Sequence, residues 1–114
     1  MQDKPQIKDD PMYQLLKNGK VKEFNKRKAE GETCDLTHSD LRGLDLRELD
    51  VDGLDLSGSY FHQTDLRGLD LRNTNLEGAS INGARIAGTF LPVQLSAEEI
   101  DLSLQHGTRM RYKV

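Results

Sequence analysis

Carboxylates recur at five-residue intervals through the middle of this chain. Two neighbouring carboxyl groups can act as general acid and general base, so the spacing raises the question of catalysis. A tandem repeat places such groups side by side whatever the function, however, and their proximity is weak evidence for acid–base chemistry. The pattern favours a structural ladder of charges over an active site. The positions concerned are Asp35, Asp40, Asp45, Asp50, Asp55, Asp65 and Asp70.

Other residue types that attack substrates or bind metals are few and scattered. The three histidines, His38, His62 and His106, form no HxH or HExxH motif. The single cysteine, Cys34, excludes an internal disulfide and a metal site built from several thiolates. No phosphate-binding or dinucleotide-binding glycine signature occurs. We therefore expect a protein that is not an enzyme and carries neither a cofactor nor a metal.

The apolar residues that must position the aspartates repeat with the same five-residue period. Two places before each apolar centre lies an uncharged residue, and two places after it there is often a glycine. A period of five matches neither the 3.6 of a helix nor the 2.0 of a long strand. It predicts a chain that runs extended for a few residues and then turns a corner. The centres are Leu36, Leu41, Leu46, Val51, Leu56, Phe61, Leu66, Leu71, Leu76, Ile81, Ile86 and Leu91.

Each position of the five-residue unit has a predicted environment. The centre and the residue two places before it point inward, because side chains two apart share one side of an extended segment. The residue between them points outward, and there the aspartates lie. Glycine two places after the centre suits the corner. Cys34 takes an inward position, so we expect a small buried filler and not a nucleophile.

The segment CDLTHSDLRGLDLRELDVDGLDLSGSYFHQTDLRGLDLRNTNLEGASINGARIAGTFLP resembles the pentapeptide-repeat family, whose consensus is A(D/N)LxX. The match covers residues 34–93, about half of the chain. The resemblance implies a mainly β fold: a right-handed quadrilateral parallel β-helix of about three coils, with four pentapeptides in each coil. Neighbouring coils would then stack Asp45 under Asp65 and Asp50 under Asp70.

One feature departs from the family pattern. Leucines occupy four inward positions where the family favours small residues, and two large side chains in one unit crowd a narrow core. We expect local widening of the coil, or a side chain that leans toward an end cap. These residues are Leu44, Leu49, Leu54 and Leu69.

Repeat stacks need caps over their open ends. Residues 1–33 predict an N-terminal helical cap: Asp10 caps a helix that Asn18-Gly19 ends, and a second helix runs from Val21 to Gly31. The basic side chains of these helices are expected to form solvated faces and not a nucleic-acid site.

Residues 94–114 predict a C-terminal helical cap and tail. Ser96 and Glu99 form a capping box, and Gly107 ends the helix. Phe90, with Pro92 and Val93, is expected beneath this helix. The alternating tail TRMRYKV is expected to add a strand to its own chain or to a partner.

The charge and the apolar content of the sequence limit the kinds of partner that we expect. Residues 34–93 carry a balance of −5, and no basic nucleic-acid footprint is present. No apolar run approaches the length of a membrane span or of a signal-peptide core. We therefore expect a cytoplasmic protein that contacts neither a membrane nor nucleic acid directly.

The most economical interpretation is a rigid module that binds another protein. Its best surface is the acidic face, defined as Asp50, Asp52, Asp70 and Arg72. A weaker polar patch would join His62 to Tyr60, Arg42 and Asn82.

The family resemblance offers an alternative function. Its quinolone-resistance members mimic duplex DNA and bind DNA gyrase, a topoisomerase, although three coils are short for that role and five arginines interrupt the acidic surface. The resemblance also implies a homodimer through the C-terminal segment, with Met110, Tyr112 and Val114 as its contacts.

Overall fold

The computed structural model describes residues 5–113. Residues 1–4 of the predicted N-terminal cap and Val114 of the predicted dimer segment lie outside this range. Three helices are present in it: α1 (Pro11–Lys17), α2 (Val21–Ala29) and α3 (Ala97–His106). Within residues 5–113, none of these helices combines the length and apolar character that crossing a membrane requires.

Between α2 and α3, parallel bridges join residues twenty positions apart. One turn of the chain therefore takes four pentapeptides, and we name residues 34–53 coil 1, 54–73 coil 2 and 74–93 coil 3. Bridges are single residues in this range, and not continuous strands, because a corner interrupts the ladder every five residues. They pair Asp40 with Tyr60, Asp45 with Asp65, Asp55 with Asn75, Tyr60 with Ser80, Asp65 with Arg85 and Asp70 with Phe90.

Each coil has four straight stretches, which we call legs after their outward residues. Leg A carries residues 35, 55 and 75; leg B carries 40, 60 and 80; leg C carries 45, 65 and 85; and leg D carries 50, 70 and 90. The predicted centres of coils 1 and 2 are buried. Buried hydroxyls at inward positions donate to carbonyls of the preceding coil, Ser59 to Leu36 at 2.6 Å and Thr64 to Leu41 at 2.7 Å. The core is thus apolar at the centres, and the small polar side chains at inward positions have hydrogen-bond partners.

The large inward leucines decide where coils 1 and 2 separate. In leg C, Leu44 lies under the smaller Thr64, and the pairing is complete: Leu46 N–H donates to Asp65 at 3.0 Å, and Asp65 N–H donates to Leu44 at 2.8 Å. In leg D, where Leu49 and Leu69 stack, neither corresponding bond forms among the described residues.

Leg A is also open between coils 1 and 2. The inward pair there is Cys34 and Leu54, and no bridge joins coils 1 and 2 in this leg of the described chain. Between coils 2 and 3, Leu54 lies next to Thr74 in leg A, and Leu69 lies next to Thr89 in leg D. The bridges of both legs are present there. A leucine next to a threonine is therefore accommodated, whereas the two successive leucines of leg D, Leu49 and Leu69, open the ladder, as overpacking would. Leu44 is partly buried and lines a depression, together with Leu16 and Val21, at the turn between α1 and α2.

Side chains of the N-terminal region cover the edge of coil 1. The Asp10 carboxylate accepts bonds from Met12 and Tyr13, confirming the predicted helix cap, and its second oxygen accepts from Asp35 N–H at 2.8 Å. Tyr13 donates its hydroxyl to the Asp40 carbonyl at 2.8 Å. Gln6 adds a parallel bridge to Ser39.

The C-terminal helix covers only part of coil 3. Ser96 caps α3 through Glu99 N–H at 3.1 Å, as predicted. The second half of the capping box is wrong, because the Glu99 carboxylate binds Arg111 at 2.9 Å instead. Ser103 accepts from Ile81 N–H at 2.9 Å, so α3 lies against leg B.

The tail pairs with its own chain. Gly78 N–H donates to Met110 at 2.7 Å, and Met110 N–H donates to Ala79 at 2.8 Å. Met110 is 0% exposed and belongs to the core.

The expected burial of Phe90 beneath the helix is wrong. Phe90 is 56% exposed and Val93 is 77% exposed, although Pro92 is buried. The helix crosses leg B, whereas Phe90 lies on leg D. Its ring packs instead against the Arg72 guanidinium, 4.7 Å from the ring centroid.

Candidate functional site

The acidic face surrounds the place where coils 1 and 2 separate. Its four residues line one groove of about 580 Å³ on leg D. The apolar part of the lining comes from Leu49, Val51 and Leu69, which are themselves nearly buried. The structure therefore brings together all four residues that the sequence singled out, and adds an apolar floor that the sequence interpretation missed.

Asp70 and Arg72 form a two-point ion pair across the centre of their leg. Arg72 donates from Nε at 2.9 Å and from Nη2 at 2.7 Å. Outward residues two apart lie on the same side of an extended leg, so every Asp-Leu-Arg triplet can close this fork. The Arg72 hydrogen bonds lower the pKa of Asp70 to about 2. The same geometry recurs in Asp40–Arg42, Asp45–Arg47 and Asp65–Arg67.

The other two aspartates of the acidic face have different partners. Asp50 pairs with Lys28 of α2 at 3.2 Å, and its N–H donates to Asn25 at 2.7 Å. Asp52 accepts from the Asn73 amide at 2.7 Å. Lys28 is a contact that no local pattern indicates, since it lies on a helix in another part of the chain. Asp52 is left as the carboxylate of this face without an ion pair among the described residues.

These pairs make the repeat region less acidic in effect than its composition suggests. Four of its five arginines each neutralise an aspartate on their own leg. Lys8 pairs with Asp35 in the same way as Lys28 pairs with Asp50. The surface is therefore a pattern of local ion pairs with isolated carboxylates, which differs from the uniform charge of a nucleic-acid duplex.

The Asp70–Arg72 pair predicts an acid-range titration. Because the pKa of Asp70 in the folded state lies below its ordinary value of 3.8, the pair stabilises the fold above that pH and loses its effect as the pH falls through about 2. Carbon-detected NMR titration of the Asp70 carboxyl measures this pKa. Arg72→Met should return it toward 3.8. An unchanged pKa in that variant would show that Arg72 is not the cause.

The predicted polar patch around His62 is partly assembled. His62 stacks on Tyr60 with ring centroids 4.9 Å apart, and its Nε2 lies 2.9 Å from the Ser80 hydroxyl. Burial, followed by the charge of Arg42, lowers the pKa of His62. Asn82 is used elsewhere, donating to the Leu104 carbonyl. The sequence interpretation missed Arg109, whose guanidinium lies over the Tyr60 ring at 4.9 Å and anchors the tail there.

The remaining reactive groups are not assembled for chemistry. Cys34 is partly exposed, and burial is the main reason that the pKa of its thiol is raised, which disfavours the nucleophilic thiolate. Within residues 5–113, no group of three or more histidine, cysteine, aspartate or glutamate side chains is arranged to hold a metal ion.

A comparison with family models identifies the repeat. The model for pentapeptide repeats matches residues 32–63 and 55–91, with eight copies. The chain belongs to the pentapeptide-repeat family. No curated protein and no solved structure matches this pentapeptide-repeat protein.

Proposed function

We propose that this pentapeptide-repeat protein is a rigid, non-enzymatic interaction module that binds another protein through the acidic face. The observation that carries the proposal is the opening of the ladder between coils 1 and 2, which places the four residues of that face around one groove. An apolar centre surrounded by a polar rim is the usual form of a protein–protein recognition surface.

The proposed architecture is a right-handed quadrilateral parallel β-helix of about three coils. Membership of the family and the twenty-residue bridge spacing support it. Residues 1–33 and 94–114 would act as its helical caps.

Two outer carboxylates of this face are held in place by ion pairs. Asp70 and Arg72 fix each other, and Asp50 is fixed by Lys28 and by the Asn25 bond to its backbone. Little side-chain entropy is then lost when a partner binds. Asp52, which has no ion pair among the described residues, is the proposed contact for a basic group of the partner.

Charge reversal on leg D tests the proposal. We expect Asp50→Lys/Asp70→Lys to abolish capture of the partner in an affinity pull-down. The matched control is Asp45→Lys/Asp65→Lys, which reverses two stacked carboxylates on leg C and should leave capture intact. Circular dichroism should show that both variants are folded. Survival of every captured partner in the leg D variant would remove the acidic face from consideration.

Gyrase mimicry remains the alternative, favoured by the net acidity of residues 34–93 and opposed by the local ion pairs. A DNA supercoiling assay separates the two functions. The interaction module should have no effect on gyrase at high micromolar concentration, and inhibition that rises with protein concentration would favour mimicry instead.

A further inference from the structure

The backbone groups of each coil face its neighbour in a fixed pattern. The N–H of each centre and the carbonyl of each inward residue point toward the following coil. Thus Leu66 N–H donates to Arg85 at 2.9 Å, and Thr64 accepts from Arg85 N–H at 2.9 Å. Corner N–H groups point the same way, as Gly68 shows by donating to Ala87 at 3.0 Å. Among residues 5–113, no fourth coil meets the same groups of coil 3.

In legs A and B of coil 3, these backbone groups bond to other parts of the chain. The Tyr112 hydroxyl oxygen accepts from Leu76 N–H at 2.8 Å. Met110 pairs with Gly78 and Ala79, and the α3 residue Ser103 takes Ile81 N–H. Half of the terminal coil is therefore closed by α3 and the tail.

Legs C and D of coil 3 are not closed in this way. Within residues 5–113, the corresponding groups of these legs make no hydrogen bond. An unpaired row of this kind is a template for another strand. The groups are Ala84 C=O, Ile86 N–H, Gly88 N–H, Thr89 C=O and Leu91 N–H.

The side chains beside this row are apolar and basic. Phe90 and Val93 are largely exposed, and Ile86 and Leu91 are partly exposed. Arg85 is exposed and has no ion pair among the described residues, unlike the other four arginines of the repeat. We call the unpaired row, with Arg85 and Phe90, the open edge.

We propose that the open edge binds an extended segment of a partner protein that carries a carboxylate opposite Arg85 and pairs with residues 84–91 as a further coil would. A carboxylate of the segment lies on Arg85. The proposal goes beyond the acidic face and does not depend on it.

Two observations favour this occupant. Extended segments already close other edges of this molecule, since Gln6 bridges Ser39 and Met110 bonds to Gly78 and Ala79. Charge complementarity favours a carboxylate opposite Arg85. A second copy of this chain would bring to the interface another open edge, whose outward residues are Arg85 and Phe90 and include no carboxylate.

Amide hydrogen exchange, followed by NMR on the full chain, tests the free state. Ile86, Gly88 and Leu91 should exchange faster than Leu66, Gly68 and Leu71, which are their paired equivalents in coil 2. Equal protection in a monomer would show that the edge is already closed and would overturn the proposal.

The probe is a peptide with the sequence HQTDLRGLDLRN, that of residues 62–73. In the protein, this segment pairs with the opposite side of residues 84–91, so it has the right spacing to place a carboxylate on Arg85. At saturation it should slow exchange at Ile86 and Leu91 by about tenfold or more. No slowing at millimolar peptide, or slowing at other amides instead, would refute the proposal.

Charge swaps provide the control. Replacing both aspartates of the peptide by lysine should weaken binding about fivefold or more, and Arg85→Glu should reverse that preference. Equal binding of the two peptides would overturn the proposed carboxylate contact. Asp50→Lys/Asp52→Lys changes the acidic face and leaves the Asp70–Arg72 pair beside Phe90 intact. This variant should still bind the peptide, so failure at the acidic face and failure at the open edge are distinguishable.

Light scattering tests the competing occupant. A monomeric mass, together with fast exchange at Ile86 and Leu91, supports a partner segment. A dimer whose dissociation on dilution exposes these amides would show that a second copy covers the edge, and would overturn the proposal.

Discussion

Replacing Phe61 by alanine lowers the free energy of unfolding by about 3–5 kcal/mol, the usual cost of deleting a buried aromatic ring. Phe61 is the centre of leg B in coil 2 and is 1% exposed. Coils 1 and 3 lie on either side of it through the bridges of Tyr60. Because the flanking coils are held by these bridges, the cavity cannot collapse easily, and the cost should fall in the upper part of the range. Urea denaturation measures it.

Phe90→Ala is the matched control. It removes the same side chain from an outward position one coil away, where the ring is 56% exposed. The expected cost is below about 1 kcal/mol, as for other exposed substitutions. Equal costs for the two variants would contradict the assignment of centres inward and preceding residues outward, on which the whole interpretation of the repeat rests.

Replacing Met110 by alanine should cost about 2–5 kcal/mol, because Met110 is fully buried where the tail crosses coil 3. Its backbone also closes the edge at Gly78 and Ala79, so loosening the tail exposes those groups. The expected signature is a lower midpoint in urea together with faster exchange at the Gly78 amide.

Val93→Ala serves as the control for the C-terminal region. Val93 is 77% exposed, and its truncation should change the free energy of unfolding by no more than about 0.5 kcal/mol. If Met110→Ala is as mild as this control, the tail is not part of the core. The Met110 side chain would then be available to a partner, as a dimer through the C-terminal segment requires.

The residues at the helix ends show how much local sequence rules can predict. Asp10 before Pro11 and Ser96 before Glu99 predicted the starts of α1 and α3, and Gly107, with φ at 73°, ends α3 as expected. These signals depend on residues a few positions apart, so the sequence contains all the information they need. The second half of the capping box failed because Arg111 competes for Glu99 from the tail.

The sequence predicted that the four residues of the acidic face lie together, but it predicted neither the Lys28 contact nor the groove. The five-residue period places Asp50 and Asp70 outward on one leg, and the Asp-Leu-Arg triplet places Arg72 beside Asp70. Lys28 reaches Asp50 from α2, and that contact depends on how α2 packs against coil 1, which no spacing in the sequence encodes. The groove follows from the stacking of Leu49 on Leu69, which is a property of two coils and not of one unit.

The sequence by itself determined the repeat, its inward and outward positions, the buried centres of coils 1 and 2, and the helix starts. Each of these depends on the alternation of side chains along a short extended segment or on the hydrogen-bonding needs of a helix end. Only the tertiary structure decided where the ladder opens, which cation neutralises Asp50, that Phe90 is exposed and that half of coil 3 has no backbone partner among residues 5–113. Those outcomes depend on which side chains meet across twenty or more residues, and close packing, not local geometry, selects among the possible contacts.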